Sequence, residues 1–181
     1  MPDSNLRAFQ NLMTERLVLR KLKKEDADDI KLLRSDCQVN EFIDRPKSVT
    51  LEEASDFIEY ITHGIDDKEC FYWAITQQNI DKVIGAICLW NFSAEKKMAE
   101  IGYELHPLFH GKGIMQEALA RVIDFGFTNM QLQVITALSI DKNIKSIRLL
   151  VRNGFQPDVH YEFVSKEEAN GLSVYYLPLK K

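Results

Sequence analysis

The sequence predicts an α/β fold: a mixed, mostly antiparallel, six- to seven-stranded sheet with helices on both faces. Three observations carry this reading. Two amphipathic helices precede the main run of strands, short polar turns then join strand-sized segments, and Met98 to Ser139 reads as a strand, helix, strand crossover. No repeat, low-complexity tract or Pro/Gly/Ser linker divides the chain, so residues 1–181 are expected to form one domain.

The first strand is expected over Arg16 to Lys21, where Leu17 and Leu19 alternate with Val18 and Arg20. A helix from about Lys24 to Ser35 follows, with Ala27, Ile30 and Leu33, and Leu32 next to them, on one face. Thr50 and Glu53 form a capping-box pattern ahead of Leu51, Ala54, Phe57, Ile58 and Ile61, which predicts a helix from Leu51 to about His63. Between the helices, Asp36 to Ser48 has no clear period and is a candidate wall of a substrate groove.

Strands are expected at Phe71 to Thr76, Lys82 to Leu89 and Met98 to Leu105, antiparallel because their connections are short. A long helix, about Gly113 to Met130, and a strand, Val134 to Ser139, complete the crossover. Asn143 to Asn153 reads as a shorter helix with Ile144, Ile147, Leu150 and Val151 inward and Gly154 as its stop. Phe155 to Val164 and Leu172 to Leu179 are the closing strands.

Composition narrows the function. Hydrophobic residues at 45% and charged residues at 28% describe a packed globule, not a disordered or coiled-coil chain. No apolar run approaches the roughly 18 residues that cross a bilayer, and Met1 to Arg16 is too polar for a signal, so a cytoplasmic protein without a membrane partner is expected. Cys37, Cys70 and Cys88 form no CxxC pair, which predicts reduced thiols. His106 and His110 are separated by Pro107, which rules out a regular helical zinc pair, and no metal site is expected. A net charge of -4 disfavours nucleic acid and suits a cationic acceptor.

One feature carries chemistry. A strand ends at Leu105, and His110-Gly111-Lys112-Gly113-Ile114-Met115 then opens the long helix. Helix starts leave backbone N–H groups unpaired at the positive end of the helix dipole, so they bind phosphate. Gly111 and Gly113 allow close approach, and Lys112 adds charge. The alternative is a tight turn with an exposed lysine. The motif is neither GxxxxGK[ST] nor a full GxGxxG, which disfavours nucleoside triphosphates and dinucleotides.

The surrounding segments resemble the GNAT acetyltransferase superfamily, in particular its ribosomal-protein N-terminal (alanine/serine) acetyltransferases. The resemblance runs through Thr14-Glu-Arg-Leu-Val-Leu-Arg20, Ala99-Glu-Ile-Gly-Tyr-Glu-Leu-His-Pro107, His110 to Leu119, and Asn143 to Phe155. It implies an acetyl-CoA-dependent N-acetyltransferase with a GNAT-like sheet. It also implies that Leu105, His110, Gly111, Lys112, Gly113, Ile114 and Met115 hold the coenzyme A pyrophosphate side, and that Asn143 and Ser146 lie near the pantetheine arm. The family's phosphate turn usually reads Gln/Arg-x-x-Gly-x-Gly/Ala. Here His110 and Met115 depart from it while Gly113 matches, and the backbone donors are retained. From the residues alone, Asn143 is a helix cap and Ser146 a solvated helix residue.

Amide formation needs a neutral amine, a stabilised oxyanion and a proton for the leaving thiolate. An α-amino group, with a pKa of about 8 against about 10.4 for lysine, loses its proton more readily. Glu100, Gly102 and Glu104 share one face of their strand, opposite Ala99, Ile101, Tyr103 and Leu105. Glu104 is taken as general base or amine-orienting group, with Glu100 or water as alternatives and a structural ion pair as the competing reading. The tyrosine that many GNAT enzymes use as acid is replaced by Leu150, and the resemblance makes Ser146 its substitute. Backbone N–H groups of Ile101 to Leu105 are expected to face the thioester carbonyl, again by resemblance.

Trp73, Trp90, Phe42 and Tyr161 are candidates for the acceptor groove, and Cys88 is expected in the core. The expected acceptor is a primary amine, most naturally a protein N-terminus such as that of a ribosomal protein. A small amine (antibiotic, polyamine or amino acid) and a non-catalytic acyl-CoA-binding module are the alternatives, and the chain is expected as monomer or homodimer.

Overall fold

A computed structural model describes residues 8–46, 49–95, 97–159 and 171–179. The described elements run β1 (Leu12–Met13), β2 (Leu17–Arg20), α1 (Ala27–Ser35), α2 (Leu51–Asp66), β3 (Phe71–Gln77), β4 (Ile80–Ser93), β5 (Met98–Leu105), α3 (Ile114–Thr128), β6 (Val134–Ile140), α4 (Ile144–Arg152), β7 (Gln156–Pro157) and β8 (Leu172–Pro178). One sheet orders them β1-β2-β3-β4-β5-β6-β8-β7, and only β5 and β6 pair in parallel.

The class is the expected one, but the sheet has 8 strands. The additional strand is β1, whose two residues are too short to show a period and are held by pairing with Val18 and Leu19. The strand expected over Phe155 to Val164 is present as Gln156–Pro157, and its later part lies outside the described residues.

β3 is buried on both faces. Phe71, Trp73 and Ile75 join a core beneath α3, and Tyr72 and Ala74 join a second core beneath α1 and α2. A strand sandwiched this way needs an unbroken apolar run, and Phe71 to Ile75 supplies it. Trp73 is therefore a core residue: its ring is fully buried and its Nε1 donates to the Gln10 carbonyl at 2.8 Å, which removes it from the groove candidates.

Helix boundaries shift where tertiary contacts intervene. Residues 24–26 form a 3-10 turn ahead of α1 because buried Asp26 faces both terminal nitrogens of Arg20, at 2.7 and 2.8 Å, and accepts the Lys23 N–H. α2 begins at the Thr50/Glu53 capping box and runs past Gly64 to Asp66, where Ile65 is buried. A Cβ at Gly64 would meet the Cys70 sulfur at 3.2 Å, so its bare backbone serves packing there and does not end the helix. On α4, Leu150 is buried as expected, but Ile144 and Val151 are about half exposed because the helix meets the sheet along a narrow stripe.

Candidate active site

The site is built around β5. Its ladder with β4 runs from Ser93↔Met98 to Gly85↔Leu105, whereas its ladder with β6 ends at Glu100↔Thr136. Both strands continue, β5 to Leu105 and β6 to Ile140, so the sheet opens between them. The His106 N–H donates to the Ile84 carbonyl, and ladder alternation then turns the backbone groups of residues 101, 103 and 105 away from β4 and into the opening. His110 agrees with this geometry. Its Nε2 lies 2.8 Å from the Leu105 carbonyl, which can only accept, so the ring N–H donates.

The turn that follows is a set of unspent donors. Gly111 and Gly113 hold φ values of 72° and 74°, the left-handed region that glycine enters without a Cβ penalty. Gly113 caps α3, and the first N–H bonded within the helix is that of Glu117, to the Gly113 carbonyl. Among the described residues, the N–H groups of residues 111–116 find no protein acceptor. A Cβ at Gly111 would meet nothing within 4 Å, so open space lies beside this nest of amides. Such a start fits a pyrophosphate.

β2 and its lead-in hold the turn in place. Arg16 donates through Nε to Glu117 at 2.7 Å and through a terminal nitrogen to the Lys112 carbonyl at 3.0 Å. Its backbone N–H and the Thr14 hydroxyl both reach the other Glu117 oxygen. Burial pushes the Glu117 carboxyl up, but these hydrogen bonds more than offset it and hold the group below its usual value. Ile114 and Met115 are buried in the core, and Lys112 lies over the Phe109 ring.

On α4, Asn143 is an N-cap: its Oδ1 accepts the Ser146 N–H at 3.1 Å. The Ser146 hydroxyl lies 2.8 Å from the Tyr103 hydroxyl. Tyr103 thus links β5 to α4, and burial pushes its phenol up to about 12, with the Ser146 bond acting in the opposite direction. Sequence reading assigned Tyr103 only to a strand face. Nothing local signals its partner 43 residues away.

On the α1/α2 side of β5 lies a cavity of about 560 Å³. Gly102 and Cys88 form part of its floor, and a Cβ at Gly102 would crowd the Cys88 sulfur at 3.3 Å. Burial pushes the Cys88 thiol up to about 12, which leaves it an inert wall. Phe57, Tyr60, Tyr72 and Trp90 supply aromatic lining. Of the groove candidates, Trp90 lines the cavity, Phe42 gives way to its neighbour Ile43, and Tyr161 lies outside the described residues.

Glu104 sits in this cavity beside Arg45, with Oε2 at 2.7 Å from a terminal nitrogen of the guanidinium and both side chains about nine-tenths buried. Neither of those two atoms has an aligned hydrogen bond, so charge holds the contact. Arg45 Nε donates to Asn40 at 2.5 Å, and buried Asn40 donates to the Arg34 carbonyl at the end of α1. Tyr72 makes a long 3.4 Å contact to the other Glu104 oxygen, and its phenol is held well above its usual value by burial and then by the Glu104 charge. Glu100, the alternative base, is absent from the cavity lining; it contacts Asn91, and burial raises its carboxyl. Among the described residues no cluster of His, Cys, Asp and Glu could hold a metal.

The comparisons agree with this geometry. The sequence profile of the acetyltransferase (GNAT) domain matches residues 16–156. An uncharacterised N-acetyltransferase, p20, from Bacillus licheniformis is 33% identical over 173 residues, 96% of this chain and 97% of its own. Among solved structures, the ribosomal-protein-S5-alanine acetyltransferase from Vibrio fischeri superposes with a TM-score of 0.74 at 23% identity, covering 93% of this chain and 96% of that one. Spermidine N-acetyltransferase from Vibrio cholerae, solved with CoA and spermine, gives a TM-score of 0.74 at 20% identity over 91% and 96%. An opened β5/β6 pair, an amide-lined helix start and a profile spanning both lead to one assignment: this chain belongs to the GNAT family of acetyl-CoA-dependent N-acetyltransferases.

Proposed function

We propose that the acceptor is an α-amino group presented at the end of a protein or peptide chain, as in the ribosomal-protein acetyltransferases whose fold this chain shares. The observation that carries the reading is the cavity with Glu104 in its wall, on the strand whose other groups face the β5/β6 opening. A cavity of about 560 Å³ has room for a terminal residue or two and excludes a folded surface. A small amine is the second reading, and the aromatic enclosure of the cavity favours it.

Acetyl-CoA supplies an activated acetyl group, and the chain's residues do the rest. The amides of residues 111–116 grip the diphosphate. The N–H groups of residues 101, 103 and 105 face the carbonyl oxygen on which negative charge develops. Glu104, with one oxygen committed to Arg45, accepts a hydrogen bond from the amine through the other and orients its lone pair. The new N–C bond forms as the C–S bond breaks. The amine's proton passes to Glu104 or water, and Ser146, braced by Tyr103, donates to the departing thiolate.

Thiol release measured with N-terminal peptides, lysine peptides and small amines tests the proposal. Glu104→Gln is expected to lower turnover more than it lowers CoA affinity. Equal turnover in that variant removes Glu104 from the reaction, and tight CoA binding without release for any amine points to a non-catalytic module.

A further inference from the structure

We propose that the cavity selects amines that also carry a carboxylate, bound by Arg34 and Arg45 while Glu104 receives the amine; this deepens the acceptor reading above and rests on it. The charges that line the cavity are unevenly paired. Arg45 faces the enclosed Glu104, whereas Arg34 and the exposed Glu69 line it without an ion pair to each other. A polyamine would bring further positive charge against both arginines, whereas an anion completes the set.

Arg34 is the unspent group. Its guanidinium carbon sits 3.9 Å from the centroid of the Phe57 ring, so the flat face is used in stacking and the in-plane N–H donors are left over. Among the described residues, no carboxylate lies within 4.0 Å of it and its guanidinium makes no hydrogen bond. Burial pulls its pKa down, with the Glu104 charge acting in the opposite direction and Arg45 adding to the lowering. Arg45 commits Nε to Asn40 and one terminal nitrogen to Glu104, which leaves the other.

Spacing sets the class of ligand. Arg45 and Glu104 are 2.7 Å apart, so an acceptor that meets both holds its ammonium and carboxylate within a few bonds of each other. A free amino acid does this with its own carboxylate. A peptide does it with an aspartate or glutamate side chain at its first residue.

Paired acceptors that differ only in carboxylate against carboxamide provide the test, with thiol release as the readout. One arm uses free amino acids and their amides; the other uses amidated peptides beginning with Asp or Asn. The carboxylate member is expected to be preferred by about tenfold or more in kcat/KM in at least one arm, the strength of a charge-assisted pair, and that arm identifies the source. Arg34→Met is expected to bring the ratio close to one, chiefly through KM, and Arg34→Lys to restore part of it, while CoA titration reports that each variant is folded. Equal rates in both arms, or a preference that survives Arg34→Met, overturns the inference.

Calorimetry with N-acetyl-alanine against N-acetyl-alanine amide, and with the α-amide of N-acetyl-aspartate against that of N-acetyl-asparagine, reads the same preference without turnover. A carboxylate preference there, with no thiol release from any amine, upholds the anion site and sinks the acceptor reading. Equal binding within both pairs sinks the anion site, and acetyl transfer to amines without a carboxylate would still stand.

Discussion

The two sides of β5 are built by opposite means. On the side proposed to hold the cofactor, one continuous stretch, residues 105–117, makes a turn whose donors are backbone amides, and side chains from β2 and its lead-in only brace it. On the side proposed for the acceptor, charges come from residues 34, 45 and 104, on a helix, an irregular segment and a strand. Backbone donors tolerate substitution around them, which is how His110 and Met115 can depart from the family pattern without removing a donor. A side-chain site has no such insulation, because replacing one side chain removes its charge.

Breaking the acceptor side has the largest expected effect. Arg45→Met leaves Glu104 enclosed without its counter-charge and is expected to cost about 3–5 kcal/mol in urea denaturation, with Glu104→Leu in the same chain recovering most of it. CoA affinity should be retained in the double variant, and a parallel loss would show that the two sides are not separable. Gly113→Val attacks the cofactor side. A branched residue at a φ of 74° is strained by about 1–3 kcal/mol, and CoA affinity is expected to fall by about tenfold or more while the ranking of acceptors stays the same.

Smaller effects sharpen the boundary. Tyr103→Phe removes the hydroxyl that braces Ser146, worth about 1 kcal/mol, so kcat should fall several-fold with little change in CoA affinity. With its phenol raised to about 12, Tyr103 stays protonated at working pH, and the variant should not move the alkaline limb of the pH–rate profile. The smallest effect concerns Glu117. Its folded pKa is lowered from 4.5, so its contribution to stability is present above that value and is lost as pH falls through the folded pKa. Glu117→Gln should flatten the acid limb of a stability profile below about pH 4.5.

The difference between the two sides also explains what the sequence disclosed. The glycine turn proposed for the pyrophosphate was legible as a turn because its elements are local: a strand end, glycines and a helix start within ten residues or so. Crossover, the order of helices and strand pairing followed from period and connection length and were found as expected, with helix ends displaced where tertiary contacts intervene. Glu104 was visible as one of two carboxylates on a strand face. Its partner was not, because Arg45 lies 59 residues away in a segment without periodicity. The net charge of -4 suggested a cationic acceptor, but a sum over the chain does not say which charges line a cavity, and Arg34, Arg45, Glu69 and Glu104 are brought there by packing.

By itself, the chain's order of apolar, polar and glycine residues determined the α/β class, the crossover and the amide-lined turn, because each depends on contacts between near neighbours. Only the tertiary structure decided which side chains meet: Arg16 with Glu117, Tyr103 with Ser146, Arg45 with Glu104, and Arg34 on Phe57 beside them. Those meetings are set by how helices and strands pack across the sheet, and a linear pattern carries no record of the distance between residues that packing brings together.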